Sequence, residues 1–384
     1  MISDPLEEHP ASFAFDFAYW FDCECGQRVE VSAAAYDRQC QGDEPYPRCE
    51  CGATIVISEV HPTLRDLSDV DCQDDQVDNH WWYHSSSYED WPSPRYRGDI
   101  AAQLKQSLLP AHEHAEAIKA KSSLALHLGT YAAAVENMFR RMKNQDSPAH
   151  QYWLHQVQIR LRPTDLEVGI HPEMAGWFGD VPISALTARG ARAVRYVNTH
   201  EAPGSISLAI DPHVIVRLRT IPLSTAPVLP STVEGDRAVD VAVTDLAAAQ
   251  QLCPDTTHFP EGQVFESWLD IMRAEIRGIT VTDQVKQLTE RLTPQFELYR
   301  SRQHEIWSEL RTALTDIYLA GVTPQTRDRL LALEPAALEP EQYHRWLRER
   351  AGVIAQPHAV VAQFASVPWR TVDPAGWSSG SDTF

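Results

Sequence analysis

Two near-identical turns, Cys23-Glu24-Cys25-Gly26 and Cys49-Glu50-Cys51-Gly52, each place two thiols around a single residue and follow them with glycine. Four thiolates from two tight turns suit a tetrahedral sulfur cage, and glycine after the second cysteine of each pair lets backbone N–H groups turn toward the sulfurs. Zinc is the metal such a set prefers, in a structural role, because four protein ligands leave no open position for a substrate. Cys40 could substitute for one ligand. Cys72 and Cys253 read as free thiols, and seven cysteines, an odd and unevenly spread number, do not read as a disulfide framework.

Three further segments bring imidazole, hydroxyl and carboxylate groups to the ends of short elements. The first is His80-Trp81-Trp82-Tyr83-His84-Ser85-Ser86-Ser87, an aromatic strand running into a histidine and hydroxyls. The second runs from Leu124 through His127, Gly129, Thr130 and Tyr131, a short strand leading into a helix that Thr130 can cap. The third, Arg195-Tyr196-Val197-Asn198-Thr199-His200-Glu201-Ala202-Pro203-Gly204-Ser205-Ile206-Ser207, is a strand, a Pro-Gly turn and a second strand, with Glu201 in the connection.

The elements that must hold these groups follow from periodicity. Residues 1–60 carry β-like runs (FAFDFAYWFD, RVEVS, ATIVIS) broken by glycines and prolines, a unit too small to bury much surface without a metal staple. Residues 61–79 are acidic, lack a clear period and read as a linker. Over 80–225 helix-like and strand-like stretches alternate, with helices expected at AAQLKQSLL and YAAAVENMFRRM and strands at WLHQVQIRL, ARAVRYVN, SISLAI and VIVRLRTIPL. Residues 226–365 read as a helical accessory module: Phe265, Trp268, Leu269, Met272 and Ile276 share one helix face, Ile306, Leu310, Leu314 and Ile317 another, and Pro294 interrupts the stretch between. AVDVAVTDLAAAQQL is a bridge of undefined type, and 366–384, rich in Ser, Gly, Pro and Asp, reads as a disordered tail. The fold class expected is α+β.

The net charge of −20 is concentrated at the front: residues 1–90 hold 20 Asp and Glu against four Arg and no Lys. Such a unit repels nucleic acid and fits either plain solubility or a basic protein partner. Arg140, Arg141, Lys143, Arg160 and Arg162 could form a basic strip beside the chemistry-bearing segments, or a solvated face. No apolar run approaches the length of a membrane span, and no basic leader with an apolar core opens the chain, so the cytoplasm is the expected compartment. Neither a dinucleotide-binding glycine fingerprint nor a P-loop occurs, which leaves hydride-transfer and NTPase chemistry without a motif.

Together, the three segments resemble the ADP-ribosyltransferase superfamily, and the cysteine turns resemble a zinc ribbon. The closest likeness is YVNTHEAPGSISLAIDP, which is similar to the Tyr-x-Asn-x-x-Glu, Pro-Gly, Ser-x-Ser, Asp-Pro signature of the phage and bacterial branch. The resemblance covers about residues 80–220 and implies a split-sheet domain that cleaves NAD and passes ADP-ribose to a macromolecular acceptor, protein or nucleic acid. It implies that His84 bonds a ribose hydroxyl, that Ser85 orients the nicotinamide amide, and that Glu201 holds the nicotinamide ribose and stabilises its positive charge. Tyr83 and Thr130 would complete the NAD site. Where many relatives carry an aromatic residue this chain has His127, so the triad reads His-His-Glu and Tyr131 becomes the candidate for stacking the nicotinamide. Breaking the nicotinamide–ribose bond develops an oxocarbenium-like cation, which a fixed carboxylate stabilises where it forms. A toxin or anti-phage effector, with an antitoxin as partner, is the biological role that the phage-associated resemblance implies. A catalytically silent scaffold acting through protein contacts and an NAD glycohydrolase stay open beside the transferase.

Overall fold

A computed structural model describes residues 6–9, 11–93, 95–107, 109–146, 150–173, 181–335 and 337–372. The chain is mixed α+β. It divides into two units, one of Met1–Val228, Gly321–Pro335 and Glu349–Phe384, the other of Leu229–Ala320 and Ala336–Arg348.

The first unit opens on an antiparallel hairpin, β1 (Ala18–Asp22) and β2 (Arg28–Ser32), followed by α1 (Ala33–Gln41). Alternation turns Tyr19, Phe21 and Val31 inward, where they meet Ile55 and Ile57, and Tyr36 of α1 stacks on Tyr19 at 3.8 Å. Ser32 caps α1 by accepting from the Ala35 amide, and Gly42 ends it at φ +82°. The stretch ATIVIS forms no strand: it makes one bridge, Arg48 with Thr54, closed by the Ile55 amide on the Pro47 carbonyl and the Cys49 amide on the Ala53 carbonyl, both at 2.8 Å.

Residues 61–79 are not a linker but a packed strap. The Thr63 amide donates to the Trp20 carbonyl at 2.7 Å, and the Arg65 amide to the Gly204 carbonyl at 2.9 Å. His9 Nε2 lies 2.8 Å from Asp69 Oδ1, and the buried Arg195 donates to the carbonyls of Asp71 and Cys72. Three of the segment's acids are used on these buried partners, Asp69 and Asp71 beside His9 and Asp74 beside Arg195.

Seven more strands make two sheets. β3 (Trp82–Ser86), β5 (Trp153–Ile159) and β9 (Ile215–Pro222) pair antiparallel in the order β3-β5-β9, and β4 (Leu126–Leu128), β6 (Leu166–Pro172), β7 (Ala193–Val197) and β8 (Ile206–Ile210) pair in the order β4-β8-β7-β6. Apolar residues from both sheets, among them Trp82, Leu128, Val157, Leu208, Ile210 and Leu218, share one core. Helices α2 (Tyr96–Lys105) and α3 (His114–Ser122) lie between β3 and β4 in sequence, α4 (Tyr131–Asn144) follows β4, and α5 (Ile183–Ala188) precedes β7. Thr130 caps α4 by accepting from the Ala133 amide, and Tyr131, Val135, Met138, Phe139 and Met142 form its buried face.

In the second unit, AVDVAVTDLAAAQQL lies in α6 (Val233–Ala249) and the short 3-10 turn after it, and α7 (Trp268–Ile276) and α8 (Asp283–Tyr318) follow. Pro294 does not break the helical run but sits inside α8, where burial of Val285, Phe296, Ile306, Leu310 and Leu314 offsets the roughly 3 kcal/mol an interior proline costs. The face expected to be buried on α7 is exposed. Ile271 and Ala274 are its buried residues, packed with Phe259, Val281 and Val285, while Trp268, Leu269, Met272 and Ile276 face outward and Phe265 lies before the helix.

Residues 226–365 are therefore not one helical body. Gly321–Pro335, which contains α9 (Pro324–Leu331), belongs to the first unit, as do the last residues of α10 (Pro340–Ala355) and all of α11 (Pro357–Ala362). The tail expected from Ser366 is packed as far as Val372: Leu218 and Arg370 exchange two backbone bonds of 2.8 Å, and Trp369 stacks on Trp81 at 5.1 Å. Residues 373–384 lie outside the described residues.

Candidate functional site

Among the described residues the three-stranded and four-stranded sheets meet at one bridge, where Tyr83 and Gly129 exchange bonds of 2.9 and 3.0 Å. Beyond it β3 and β4 separate, and the His84 ring occupies the gap, with Nδ1 2.8 Å from the His127 carbonyl. A carbonyl can only accept, so Nδ1 carries the proton and Nε2 is left as an acceptor. Trp91 stacks on the ring at 4.0 Å and 17°. Burial pushes the His84 pKa down to about 3, and pushes that of its register partner His155 well below the usual histidine range. His84 is thus neutral at physiological pH.

A pH dependence follows. A histidine whose folded pKa is depressed loses stability as pH falls below its unfolded value near 6.5, because only the unfolded chain takes up the proton. Relative to His84→Phe, the wild-type chain is expected to lose about 2 kcal/mol of unfolding free energy between pH 7.5 and pH 5. Urea unfolding of both proteins at the two pH values measures this, and parallel pH dependences would contradict it.

Glu201 sits in the connection between β7 and β8, which its neighbours fix from several sides. Asn198 Oδ1 accepts from the His200 and Glu201 amides at 3.0 and 2.8 Å, while its Nδ2 donates to Ser207 Oγ at 3.1 Å. The Gly204 amide donates to the Asn198 carbonyl at 2.8 Å, and Ala202 takes φ +48°. Glu201 Oε1 accepts from Arg140 Nε at 2.5 Å. Gly204 has φ +81°, and a Cβ there would lie 2.5 Å from Arg65 Cγ and 2.9 Å from the Thr63 carbonyl oxygen. Gly204→Ala is accordingly expected to cost about 2 kcal/mol or more; denaturant titration showing no loss would contradict this packing.

A cavity of about 360 Å³ opens at the split, and its wall includes Tyr83, His84, Ser85, His127 and Glu201. Tyr83 is there without a usable hydroxyl, which donates to Glu8 at 2.7 Å and accepts from Gln156 at 3.0 Å. His127 Nδ1 lies 3.0 Å from Tyr196 Oη, and the two rings meet edge-on. Neither Thr130 nor Tyr131 lines the cavity. Thr130 is the α4 cap, and the fully buried Tyr131 donates to the Val353 carbonyl at 2.7 Å and packs against Phe13 and Tyr83, so it cannot stack a ligand in this cavity.

Several wall residues escape the sequence reading, and Arg140 and Arg141 enter it only as part of a basic strip. Ala133, Asn137 and Arg140 recur at helical spacing along α4 and face the cavity with Arg141, a signal readable only once the orientation of α4 is known. Trp91, Lys121 and Glu173 come from segments with no motif. The residues of the expected basic strip have different surroundings. Arg140 and Arg141 line the cavity, Lys143 and Arg160 are exposed, and Arg162 is held by Asp165 at 2.7 Å.

The four turn cysteines do converge. Cys23 and Cys51 sulfurs lie 3.7 Å apart, Cys25 and Cys49 sulfurs 3.6 Å apart, and all four fall within 4.8 Å of one another. A tetrahedron of sulfurs about 2.3 Å from a zinc ion has edges of roughly 3.8 Å, so the spacing fits. The turns are alike in backbone: Gly26 and Gly52 take φ +86° and +92° and each donates to the carbonyl of the first cysteine of its pair at 2.8 Å. The Ala53 amide and the neighbouring thiols hold the Cys51 pKa down to about 7. This group could hold a metal such as zinc. Cys40, exposed on α1, is not part of it.

The chain matches no family model, no curated protein and no solved structure. Among the described residues no helix is long and apolar enough to cross a membrane.

Proposed function

We propose that this chain is an NAD-dependent mono-ADP-ribosyltransferase, with a structural zinc ion held by Cys23, Cys25, Cys49 and Cys51. The observation that carries the reading is the convergence of His84, Ser85, His127 and Glu201, from three separate stretches of chain, on one cavity where two sheets part. A split of this kind is what the resemblance to ADP-ribosyltransferases implies.

The residues divide the work by their chemistry. Neutral His84, with its proton fixed on Nδ1, offers Nε2 to a ribose hydroxyl. Tyr83 directs its amide and carbonyl at Gly129, so strand alternation turns those of Ser85 to the same side, where a carboxamide can pair with both. Lys121, Arg140 and Arg141 supply cations for the pyrophosphate. Tyr88 and Tyr96 are wall aromatics that could take the stacking role Tyr131 cannot. Arg140 uses Oε1 of Glu201, leaving the second oxygen for the nicotinamide ribose. As the glycosidic bond breaks, its electron pair leaves with neutral nicotinamide, and the Glu201 carboxylate stabilises the cation until a nucleophile adds from the opposite face.

The same Arg140–Glu201 pair favours one second reading, an NAD-binding scaffold without turnover, because a carboxylate already paired with a guanidinium stabilises a cation less. NAD labelled in its adenosine half, incubated with the protein and cell lysate, separates the readings. Label on protein or nucleic acid supports the transferase and identifies the acceptor class. Label only in free ADP-ribose makes the chain a glycohydrolase, and intact NAD supports the scaffold.

A further inference from the structure

We infer that Glu136 of α4 and Arg329 of α9 form a clamp that positions Glu201, which makes the segment Gly321–Pro335 part of the catalytic machinery; the inference rests on Glu201 being the catalytic carboxylate. Glu136 is fully buried. Its Oε2 accepts from the Ala202 amide at 2.6 Å and from Arg329 Nη1 at 2.9 Å, and its Oε1 accepts from the Thr326 hydroxyl. Arg329 Nη2 donates to the His200 carbonyl at 2.6 Å. The residues immediately before and after Glu201 are therefore both tied to a single carboxylate–guanidinium pair.

Each part of this arrangement is a poor choice for stability alone. A buried ion pair often contributes less than an apolar replacement would, and a non-glycine residue at positive φ persists only where its surroundings over-determine it. What the pair provides is geometry. The planar guanidinium reaches Glu136 with one nitrogen and the loop carbonyl with the other, a double contact that a lysine ammonium at the same place could not span. Together with the Asn198 bonds to the His200 and Glu201 amides, the clamp leaves the Glu201 backbone little freedom, and a carboxylate so held needs no reorganisation when charge develops. Glu136 and Arg329 are positioning residues: the cavity wall contains neither.

Hydrogen exchange on the full-length chain tests the clamp independently of turnover. In Arg329→Met the Glu201 and Ala202 amides are expected to exchange about tenfold faster, with β5 and β8 unchanged. Arg329→Lys, which keeps the charge beside Glu136, should fall between wild type and Arg329→Met. Unchanged exchange in the loop, or equal acceleration throughout the sheets, would overturn the clamp. In steady-state nicotinamide release, Arg329→Met should lower kcat by about 100-fold with KM for NAD within about twofold, since misplacing a catalytic group penalises the chemical step. A wild-type chain that turns over and an Arg329→Met chain with the same kcat would also overturn it. If wild type releases no nicotinamide, the catalytic reading fails, and the exchange measurement still decides whether the clamp exists.

Discussion

Glu201→Gln is expected to reduce nicotinamide release from NAD by at least about 100-fold while leaving NAD affinity within a few-fold. Glutamine has the shape of glutamate and keeps an oxygen for Arg140 Nε, and the loop's main backbone restraints, through Asn198, Glu136 and Arg329, do not involve the Glu201 side chain. What changes is the charge facing the ribose. The loss should therefore appear in kcat, because the interaction strengthens as the cation forms. Calorimetric titration of NAD alongside the rate measurement separates the two effects. Equal rates for the two proteins would remove Glu201 from the mechanism, and loss of binding without a change in kcat would make it a binding residue.

The second large effect is expected at the metal. Purified protein should contain about one zinc per chain, and Cys49→Ser should release it. The surrounding core of Tyr19, Phe21, Val31, Ile55 and Ile57 is small, so the free energy of metal binding is a large part of what folds residues 15–60. Limited proteolysis of Cys49→Ser should cut before residue 60 under conditions that leave the wild-type chain whole. The strap carries a further consequence, since Thr63 bonds Trp20 and Arg65 bonds Gly204, linking the hairpin to the Glu201 loop. Loss of zinc should consequently also lower turnover. A folded, protease-resistant wild-type chain without metal would contradict the assignment.

Much of the strand framework is legible in the sequence because alternation and turn chemistry act locally. WLHQVQIRL, ARAVRYVN, SISLAI and VIVRLRTIPL each contain a strand, Thr130 caps the helix it precedes, and the twin Cys-x-Cys-Gly turns bring their sulfurs together. The failures come from partners distant in sequence. The acids of 61–79 look solvated until His9 is seen beside Asp69 and Arg195 beside Asp74. Helix α7 has apolar residues on both faces, and spacing alone does not say which face Phe259 and Val285 will cover. Nothing in TPQTRDRLLAL announces that Thr326 and Arg329 reach a carboxylate on α4.

The candidate site shows the same division. His84, Ser85, His127 and Glu201 are legible because polar side chains interrupt apolar strand patterns or precede a Pro-Gly turn, and they meet in one cavity. Tyr131 looks equally suitable, one helical position after the cap, but the direction of α4 sends its ring into the core beside Phe13 and its hydroxyl to Val353. The two α4 cations that face the cavity, Arg140 and Arg141, lie on a helix surface that Tyr131 does not share.

The most direct measurement is nicotinamide release by the purified, zinc-loaded wild-type chain incubated with NAD, quantified against a reaction without protein. Steady release above that background, removed by Glu201→Gln, is the predicted result. No release with or without cell lysate, from a protein shown by calorimetry to bind NAD, would contradict catalysis at this cavity.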